Sequence, residues 1–271
     1  MPLASKRHPL QRLPMLLAVL LAWLWPAWLA QAQQPAPVVA AASDLQFALS
    51  EVAEAFEAER GQQVRVSFGS SGNFARQIRQ NAPFELFFSA DEAFVDALVR
   101  DGFMRDAGML YAIGRLALIV PNGSPLEADG SLDDLAKALA DGRVTRFAIA
   151  NPEHAPYGMR AEEALRHKGL WDQIRSKLVF GENVSQAAQF ATSANAQGGI
   201  IAYSLAVSPK VSMLGRHALI AEGWHQPLRQ RMALTAKAGT VAEAFYDFAR
   251  SRGARAIFRK HGFALPDEPS N

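Results

Sequence analysis

One arrangement recurs along this chain: a short apolar segment, a turn with a small hydroxyl residue, and a segment whose apolar residues have helical spacing. The first three turns of this kind contain Ser43, Ser70-Ser71 and Ser89. Related strand–loop–helix units follow at 147–165 and 178–190. Strands that alternate with helices predict an α/β fold with mostly parallel sheets. In such sheets the turns gather at the carboxyl ends of the strands, where ligands bind.

The first unit shows the pattern most clearly. The apolar run Val38 to Ala42 is typical of a buried strand. From Leu45 to Phe56 apolar residues recur at the spacing of an amphipathic helix, and Gly61 is expected to end it. The same reasoning predicts strands at 64–68, 86–88, 116–120, 147–150, 178–180, 199–202 and 232–235, and two C-terminal helices at about 240–251 and 253–261.

The first 32 residues have the organisation of a secretory signal peptide. Residues 1–12 are basic, the stretch from Leu13 to Ala30 is uncharged, and Ala30-Gln31-Ala32 is a small-x-small cleavage pattern. The alternative is an uncleaved membrane anchor, since the apolar run approaches the roughly 20 residues that span a bilayer. Pro14 and Pro26 interrupt that run, which favours a cleaved signal and an exported, soluble mature protein.

Composition excludes several classes of protein. The 271 residues include no cysteine, which excludes disulfides, thiolate metal sites and a thiol nucleophile, as well as a lipid anchor at the cleavage site. The formal net charge is +2, but without the three basic residues of the leader 25 basic and 26 acidic residues remain. A nucleic-acid-binding protein normally has an excess of basic residues, so no nucleic-acid partner is expected.

The hydroxyl-containing turns suit an anion. A helix N-terminus offers unpaired N–H groups with partial positive charge, and serine hydroxyls add donors without adding charge. Ser43 and Ser71 are therefore candidate oxyanion ligands, although a serine before a helix is also an ordinary N-cap. Ser89 is expected to be structural, since Asp91 can cap the helix that follows it. Gly72 suits a turn with positive φ, or leaves room for a ligand.

Other chemistries lack the residues that they need. The sequence contains no Gly-x-Ser-x-Gly elbow, no Walker loop and no His-Glu-x-x-His motif. None of the six histidines pair at i+3 or i+4, so a metal site is not expected. A hydrolase or transferase with Ser43 or Ser71 as nucleophile remains an alternative, but no histidine has a motif that marks it as the base. The pair Glu153-His154 is expected to be a solvated loop pair.

Five motifs, in order and with their spacing, resemble the periplasmic molybdate-binding proteins of bacterial ABC importers. The resemblance covers about residues 38–263. The motifs are the segments 38–45 (VVAAASDL), 68–78 (FGSSGNFARQI), 82–92 (APFELFFSADE), 151–158 (NPEHAPYG) and, near the C-terminus, 245–248 (FYDF) with 257–263 (IFRKHGF).

The resemblance implies a two-lobed type II periplasmic binding protein fold, with mixed sheets flanked by helices and two hinge crossovers. The crossovers are expected near Leu116 to Val120 and Arg231 to Thr235. Lobe one would then combine residues 36–117 with 234–265, and lobe two would be 118–233.

The family's oxyanion contacts are carried over to matching positions. They imply Ser43, the backbone N–H of Asp44, Ser71, Tyr157 and the backbone N–H of Val184 as ligand contacts. None of these residues would bind a metal ion directly; Ser43, Ser71, Tyr157 and Val184 would contact the oxygens of the oxyanion. The Asp44 carboxylate would repel a dianion, so it is expected to point away.

One position departs from the pattern of some family members. They place a tyrosine hydroxyl on the ligand after the strand equivalent to 199–202, where this chain aligns Ala202, with Tyr203 displaced by one residue. Tyr157 is the candidate to supply the phenol instead, and the alternative is a buried tyrosine that bonds only protein.

The resemblance implies a monomeric periplasmic receptor that binds molybdate, and also tungstate, and delivers it to an inner-membrane ABC permease. It implies no catalysis and no cofactor, with the oxyanion as the transported ligand. A receptor for sulfate or another tetrahedral oxyanion is the alternative within the same class. The effector-sensing half of a transcription regulator can share this fold, but the signal peptide and the missing DNA-binding segment argue against it.

Overall fold

The structure is a computed structural model that describes residues 35–193 and 195–267. The expected signal peptide, residues 1–32, lies outside the described residues. The alternation of strands and helices is confirmed. The strands are β1 (Val38–Ala42), β2 (Arg65–Gly69), β3 (Phe84–Ser89), β4 (Met109–Gly114), β5 (Leu116–Pro121), β6 (Phe147–Ala150), β7 (Leu178–Gly181), β8 (Gly198–Ala202), β9 (Gly215–Leu219) and β10 (Leu228–Leu234).

The helices follow most of these strands. They are α1 (Ala48–Arg60), α2 (Ser71–Arg79), α3 (Glu92–Arg100), α4 (Asp133–Ala140), α5 (Pro156–His167), α6 (Trp171–Ile174), α7 (Val184–Thr192), α8 (Tyr203–Ala206), α9 (Pro209–Ser212), α10 (Thr240–Ala249) and α11 (Arg252–Lys260). A 3₁₀ turn at Ser43–Leu45 precedes α1. Gly61 ends α1 with a φ of 64°, a left-handed conformation that glycine adopts without strain. None of the helices in the described part of the chain is long and apolar enough to cross a membrane.

The strands form two five-stranded sheets. The first has the order β2-β1-β3-β10-β4 and the second has the order β7-β6-β8-β5-β9. In the first sheet β1 pairs in parallel with β2 and β3, whereas β10 runs antiparallel to β3 and β4. In the second, β6 is parallel to β7 and β8, whereas β5 is antiparallel to β8 and β9. In each sheet four strands run in one direction and one strand, β10 or β5, runs against them. The expected mostly parallel sheets and the mixed sheets implied by the resemblance are therefore both confirmed.

The chain crosses from one sheet to the other twice, between β4 and β5 and between β9 and β10. The strand that follows each crossing, β5 or β10, is the one that runs antiparallel to its neighbours. Only Arg115 separates β4 in the first sheet from β5 in the second. The return connection joins β9 in the second sheet to β10 in the first. The predicted division placed residues 118–233 in lobe two, but β10 (Leu228–Leu234) lies in the first sheet over its whole length. The strand begins with the polar residues Arg229-Gln230-Arg231, so its first half lacks the apolar run from which a strand is predicted.

Each sheet has its own hydrophobic core. In the first sheet, β1 and β3 pack against α1 and the two C-terminal helices, and the ring of Phe245 contacts those of Phe56 and Phe88. In the second sheet, the buried strands β5, β6 and β8 pack against α5 and α7. Separate cores allow each lobe to keep its own structure, and the turns at the strand ends face one another between them.

Candidate functional site

A small pocket lies where the strand ends of the two sheets meet. The first sheet contributes the turns after β1, β2 and β3, and the second contributes the turns after β6 and β7. All five residues expected at the ligand are in its wall. The lining residues are Ala42, Ser43, Asp44, Gly69, Ser70, Ser71, Ala90, Ala155, Pro156, Tyr157 and Val184.

Ser43 follows β1 directly and begins the short 3₁₀ turn. Its side chain is buried, and its hydroxyl oxygen accepts the backbone N–H of Ser185 at 3.2 Å. Ser185 belongs to α7, so this bond joins the two sheets. A hydroxyl that accepts one bond still has its own proton to donate. No acceptor for that proton is found among the described residues.

Ser71 is the first residue of α2 and is fully buried. Its hydroxyl oxygen accepts the backbone N–H of Ala90 at 3.0 Å. As with Ser43, the described residues provide no acceptor for the hydroxyl proton. Two buried hydroxyl donors thus remain available in the wall of the same pocket. A buried donor without an acceptor is costly, so a partner inside the pocket would stabilise both.

The pocket is also surrounded by helix starts. Ser43 begins the 3₁₀ turn, Ser71 begins α2, Tyr157 is the second residue of α5 and Val184 is the first residue of α7. The first N–H groups of a helix have no acceptor within it, and they carry partial positive charge. Their convergence is the arrangement that suits an anion held by neutral donors.

Tyr157 belongs to a buried polar network behind the pocket. Its hydroxyl donates to Asp44 Oδ2 at 3.0 Å. Gln230 Nε2 donates to the same Asp44 oxygen at 2.6 Å and to the Tyr157 hydroxyl oxygen at 3.1 Å. Tyr111 completes the network by donating to Gln230 Oε1 at 2.7 Å. In this arrangement the single hydroxyl proton of Tyr157 is committed to Asp44.

The Asp44 carboxyl is almost completely buried, at 1% exposure. Burial raises its pKa to about 6, and the hydrogen bonds from Gln230 and Tyr157 oppose that rise. Its other oxygen, Oδ1, has no hydrogen-bond partner in the described part of the chain. The pKa of Tyr157 is raised well above its ordinary value, first by burial and then by the neighbouring Asp44.

Gln230, Tyr111 and Gly114 were not identified as site residues from the sequence. Gln230 and Tyr111 lie on β10 and β4, and β4 was not predicted as a strand. A Cβ on Gly114 would lie 2.3 Å from the Tyr157 hydroxyl oxygen and 2.8 Å from Gln230 Nε2, so the network needs a glycine there. The signals available in the sequence were a glutamine between two arginines and a glycine just before the predicted strand at 116–120, and such features are too common to indicate a site.

Further hydrogen bonds join the two lobes near the pocket. The N–H of Gly72 donates to the carbonyl oxygen of His154 at 2.9 Å, and His154 Nδ1 lies 3.0 Å from the Ser70 hydroxyl. Asn73 donates to Glu182. His154 is therefore a contact between lobes, and the expectation of a solvated loop pair is wrong for it. Gly72 is helical, and a Cβ there would lie 2.6 Å from the His154 oxygen, so close approach explains this glycine better than positive φ.

Two other predictions concern Ser89 and Tyr203. The structural role of Ser89 and Asp91 is confirmed, since Asp91 Oδ1 accepts the N–H of Ala93 and the Ser89 hydroxyl donates to the Asp91 carbonyl oxygen. Tyr203 begins α8, and its ring lies 5.8 Å from that of His217, outside the pocket wall. Residues 35–193 and 195–267 contain no group of three or more His, Asp or Glu side chains that could hold a metal ion.

Known proteins resemble this chain over most of its length. Residues 37–264 match the family model described as bacterial extracellular solute-binding protein. The molybdate-binding protein of Rhodobacter capsulatus is 32% identical over 229 residues, which are 83% of this chain and 87% of that protein. The molybdate-binding protein of Azotobacter vinelandii is 32% identical over 241 residues, which are 88% of this chain and 93% of that protein.

A solved structure agrees with these matches. The periplasmic molybdate-binding protein of Azotobacter vinelandii superimposes with a TM-score of 0.76 and 29% identity, covering 85% of this chain and 100% of that chain. Together with the two mixed sheets, this confirms the two-lobed type II fold. The chain is therefore a member of the bacterial extracellular solute-binding protein family, among the relatives of its molybdate-binding proteins.

Proposed function

We propose that this protein is an extracytoplasmic receptor that binds molybdate between its two lobes and delivers it to an ABC importer. The observation that carries the proposal is the pair of buried hydroxyls, Ser43 and Ser71, whose protons have no acceptor among the described residues and whose pocket is ringed by helix starts. The names of the relatives support molybdate as the anion.

The donor set explains which anions should bind. The expected ligand contacts are the hydroxyls of Ser43, Ser71 and Tyr157 and the N–H groups of Asp44 and Val184. A ring of donors favours a fully ionised oxyanion, since a proton on the ligand would face donors and find no acceptor. Molybdate and tungstate are dianions near neutral pH, whereas phosphate still carries a proton. Tungstate should therefore bind as molybdate does, and phosphate should be rejected.

Sulfate is the competing ligand. It is also a dianion, so charge does not distinguish it from molybdate. Its shorter bonds would leave some donors of a molybdate-sized ring out of reach, and we expect it to bind more weakly for that reason.

The biological setting follows from the same proposal. After removal of residues 1–32 the protein would act in the periplasm as a monomer, with an inner-membrane permease as its protein partner and no resident cofactor. No catalysis is proposed. Among the described residues, Ser70 hydrogen-bonds a histidine, His154, and that pair joins the two lobes.

Calorimetry tests the proposal directly. Mature protein freed of bound anions is titrated with molybdate, tungstate, sulfate and phosphate, and protein purified without that step is analysed by native mass spectrometry. We expect tight binding of molybdate and tungstate at one site per chain, with weaker sulfate binding and no phosphate binding. If sulfate binds more tightly than molybdate, sulfate replaces molybdate as the proposed ligand. If none of the four anions binds, the proposal is refuted.

A further inference from the structure

A buried carboxyl group belongs to the network directly behind the pocket proposed to hold a dianion. Asp44 is 1% exposed, and its Oδ1 has no hydrogen-bond partner among the described residues. The groups that lower its pKa are the Gln230 amide, the Tyr157 hydroxyl and two backbone N–H groups, all of them neutral. A dianion and an ionised carboxylate would repel each other strongly in a pocket with little water.

We propose that Asp44 takes up one proton from solvent when the oxyanion binds, and that the protonated carboxyl then frees the Tyr157 hydroxyl to donate to the ligand. The proposal rests on the proposed function, since it concerns the anion in the same pocket. It makes the bound species an oxyanion together with a proton held by the protein.

Hydrogen-bond geometry supplies the second half of this proposal. While Asp44 is ionised, the only proton of the Tyr157 hydroxyl is donated to Asp44 Oδ2, 3.0 Å away. Once Oδ2 carries a proton, the direction of that bond can reverse, with Asp44 donating to the tyrosine oxygen. The tyrosine oxygen can accept from both Asp44 and Gln230 Nε2, which lies 3.1 Å from it. Its own proton is then available to the oxyanion.

The charged side chains on neighbouring elements are engaged elsewhere. On α5, Arg160 pairs with Asp91, and on β10, Arg231 pairs with Glu92. On α1, Glu51 pairs with Lys260 and His261. Among the other neighbouring elements, β4 provides Tyr111 and β2 the exposed Arg65. Helix α8 provides Tyr203 and Ser204, whose hydroxyl donates to the Asp44 carbonyl oxygen, and α7 has no titratable residue. Within the network around Asp44, the titratable partners are the two tyrosines Tyr111 and Tyr157.

The experiment measures protons together with anions. Mature wild-type protein is titrated with molybdate at pH 7.5 in two buffers that differ in ionisation enthalpy, and the dissociation constant is measured from pH 6 to pH 8. Molybdate is already a dianion in this range, so a proton taken up on binding goes to the protein. We expect uptake of about one proton per anion. With an Asp44 pKa of about 6 in the free protein, the dissociation constant should rise about 50-fold from pH 6 to pH 8.

Two variants locate the proton. Asp44→Asn keeps an oxygen that can accept from Tyr157 and Gln230 but cannot titrate, so proton uptake should vanish and the affinity should become independent of pH. Asp101→Asn removes a half-exposed carboxylate that pairs with Arg79, and it should retain the wild-type pH profile. Equal proton uptake by wild type and Asp44→Asn would assign the proton to another group and overturn the proposal.

The wild-type titration separates this proposal from the proposed function without any variant. Tight molybdate binding with no proton uptake and a constant affinity from pH 6 to pH 8 would overturn the role of Asp44 and leave the receptor function intact. If neither molybdate nor tungstate binds at any pH, the proposed function fails and this inference fails with it.

Discussion

Arg160 Nη2 on α5 lies 2.6 Å from Asp91 Oδ2, so the two residues form an ion pair between the lobes. Asp91 follows β3 of the first sheet, whereas α5 packs against the second sheet. Both side chains are only 12% exposed, so solvent screens the pair weakly. The same carboxylate caps α3 through the N–H of Ala93. The pair therefore links the geometry of one lobe to the position of the other.

The Asp91→Asn variant should allow the two lobes to move apart. The amide oxygen can still cap α3, but the charge that holds Arg160 is lost. We expect molybdate affinity to fall about 10- to 150-fold, as for loss of a hydrogen bond between charged groups worth about 1.5–3 kcal/mol. The radius of gyration of the anion-free protein, measured by small-angle scattering, should increase.

The matched control for Asp91→Asn is Asp101→Asn. Asp101 pairs with Arg79 inside the first lobe, and both side chains are about two-fifths exposed. An exposed pair contributes little, so affinity and radius of gyration should remain as in wild type. Equal behaviour of the two variants would show that the Arg160 pair does not hold the lobes together.

Ser71→Ala should remove one of the two available hydroxyl donors. A hydrogen bond to a charged group is worth about 1.5–3 kcal/mol, so molybdate should bind about 10- to 150-fold more weakly in calorimetry. Ser208→Ala is the matched control, since Ser208 is also buried and its hydroxyl bonds the Leu205 carbonyl oxygen outside the pocket wall. We expect Ser208→Ala to lower stability without weakening molybdate binding. Unchanged binding by Ser71→Ala would remove Ser71 from the site.

Asp44 should also make the stability of the anion-free protein depend on pH. Its carboxyl titrates near pH 3.8 when unfolded and near pH 6 when folded. The stabilisation from the proton held only by the folded state is complete below pH 3.8, and it is lost as pH rises through 6. The free energy of unfolding of wild type, measured relative to that of Asp44→Asn, should fall by about 2–3 kcal/mol from pH 3.8 to pH 7.

Urea unfolding at a series of pH values checks this expectation. Other titrating groups affect both proteins alike, so the difference between the two curves isolates Asp44. Curves that stay parallel across this range would show that Asp44 has an ordinary pKa in the folded protein.

Local patterns in the sequence predicted much of the fold. The strand at Val38–Ala42 and the helix that ends at Gly61 are both present, because apolar periodicity and a terminating glycine reflect forces that act within one segment. Strand β4 and the start of β10 were missed. Their position is determined by pairing with each other across more than one hundred residues, which a search within short windows cannot detect.

The site could be predicted only in part, because some of its contacts also join residues that are far apart in the chain. Ser43 follows β1 directly and Ser71 comes two residues after β2, and the structure brings both to one pocket. The partners of Asp44 could not be predicted, because Tyr157 and Gln230 are 113 and 186 residues away in the chain. The sequence indicated that the Asp44 charge would be a problem for a dianion, but only the folded network shows which groups surround it.

Gly114→Ala tests whether the network behind the pocket needs its present packing. A Cβ at this position would lie 2.3 Å from the Tyr157 hydroxyl oxygen and 2.8 Å from Gln230 Nε2, both of them buried. The two side chains would have to move, and overpacking of this kind costs about 1–3 kcal/mol. We expect a lower melting temperature and weaker molybdate binding, with less proton uptake, because the Tyr157 hydroxyl no longer meets Asp44.

Gly223→Ala is the matched control, since a Cβ there meets nothing within 4 Å and should leave all three measurements unchanged. Wild-type behaviour of Gly114→Ala in calorimetry and thermal unfolding would mean that the tyrosine hydroxyl can shift without cost, and that its contact with Asp44 does not determine how the anion is held.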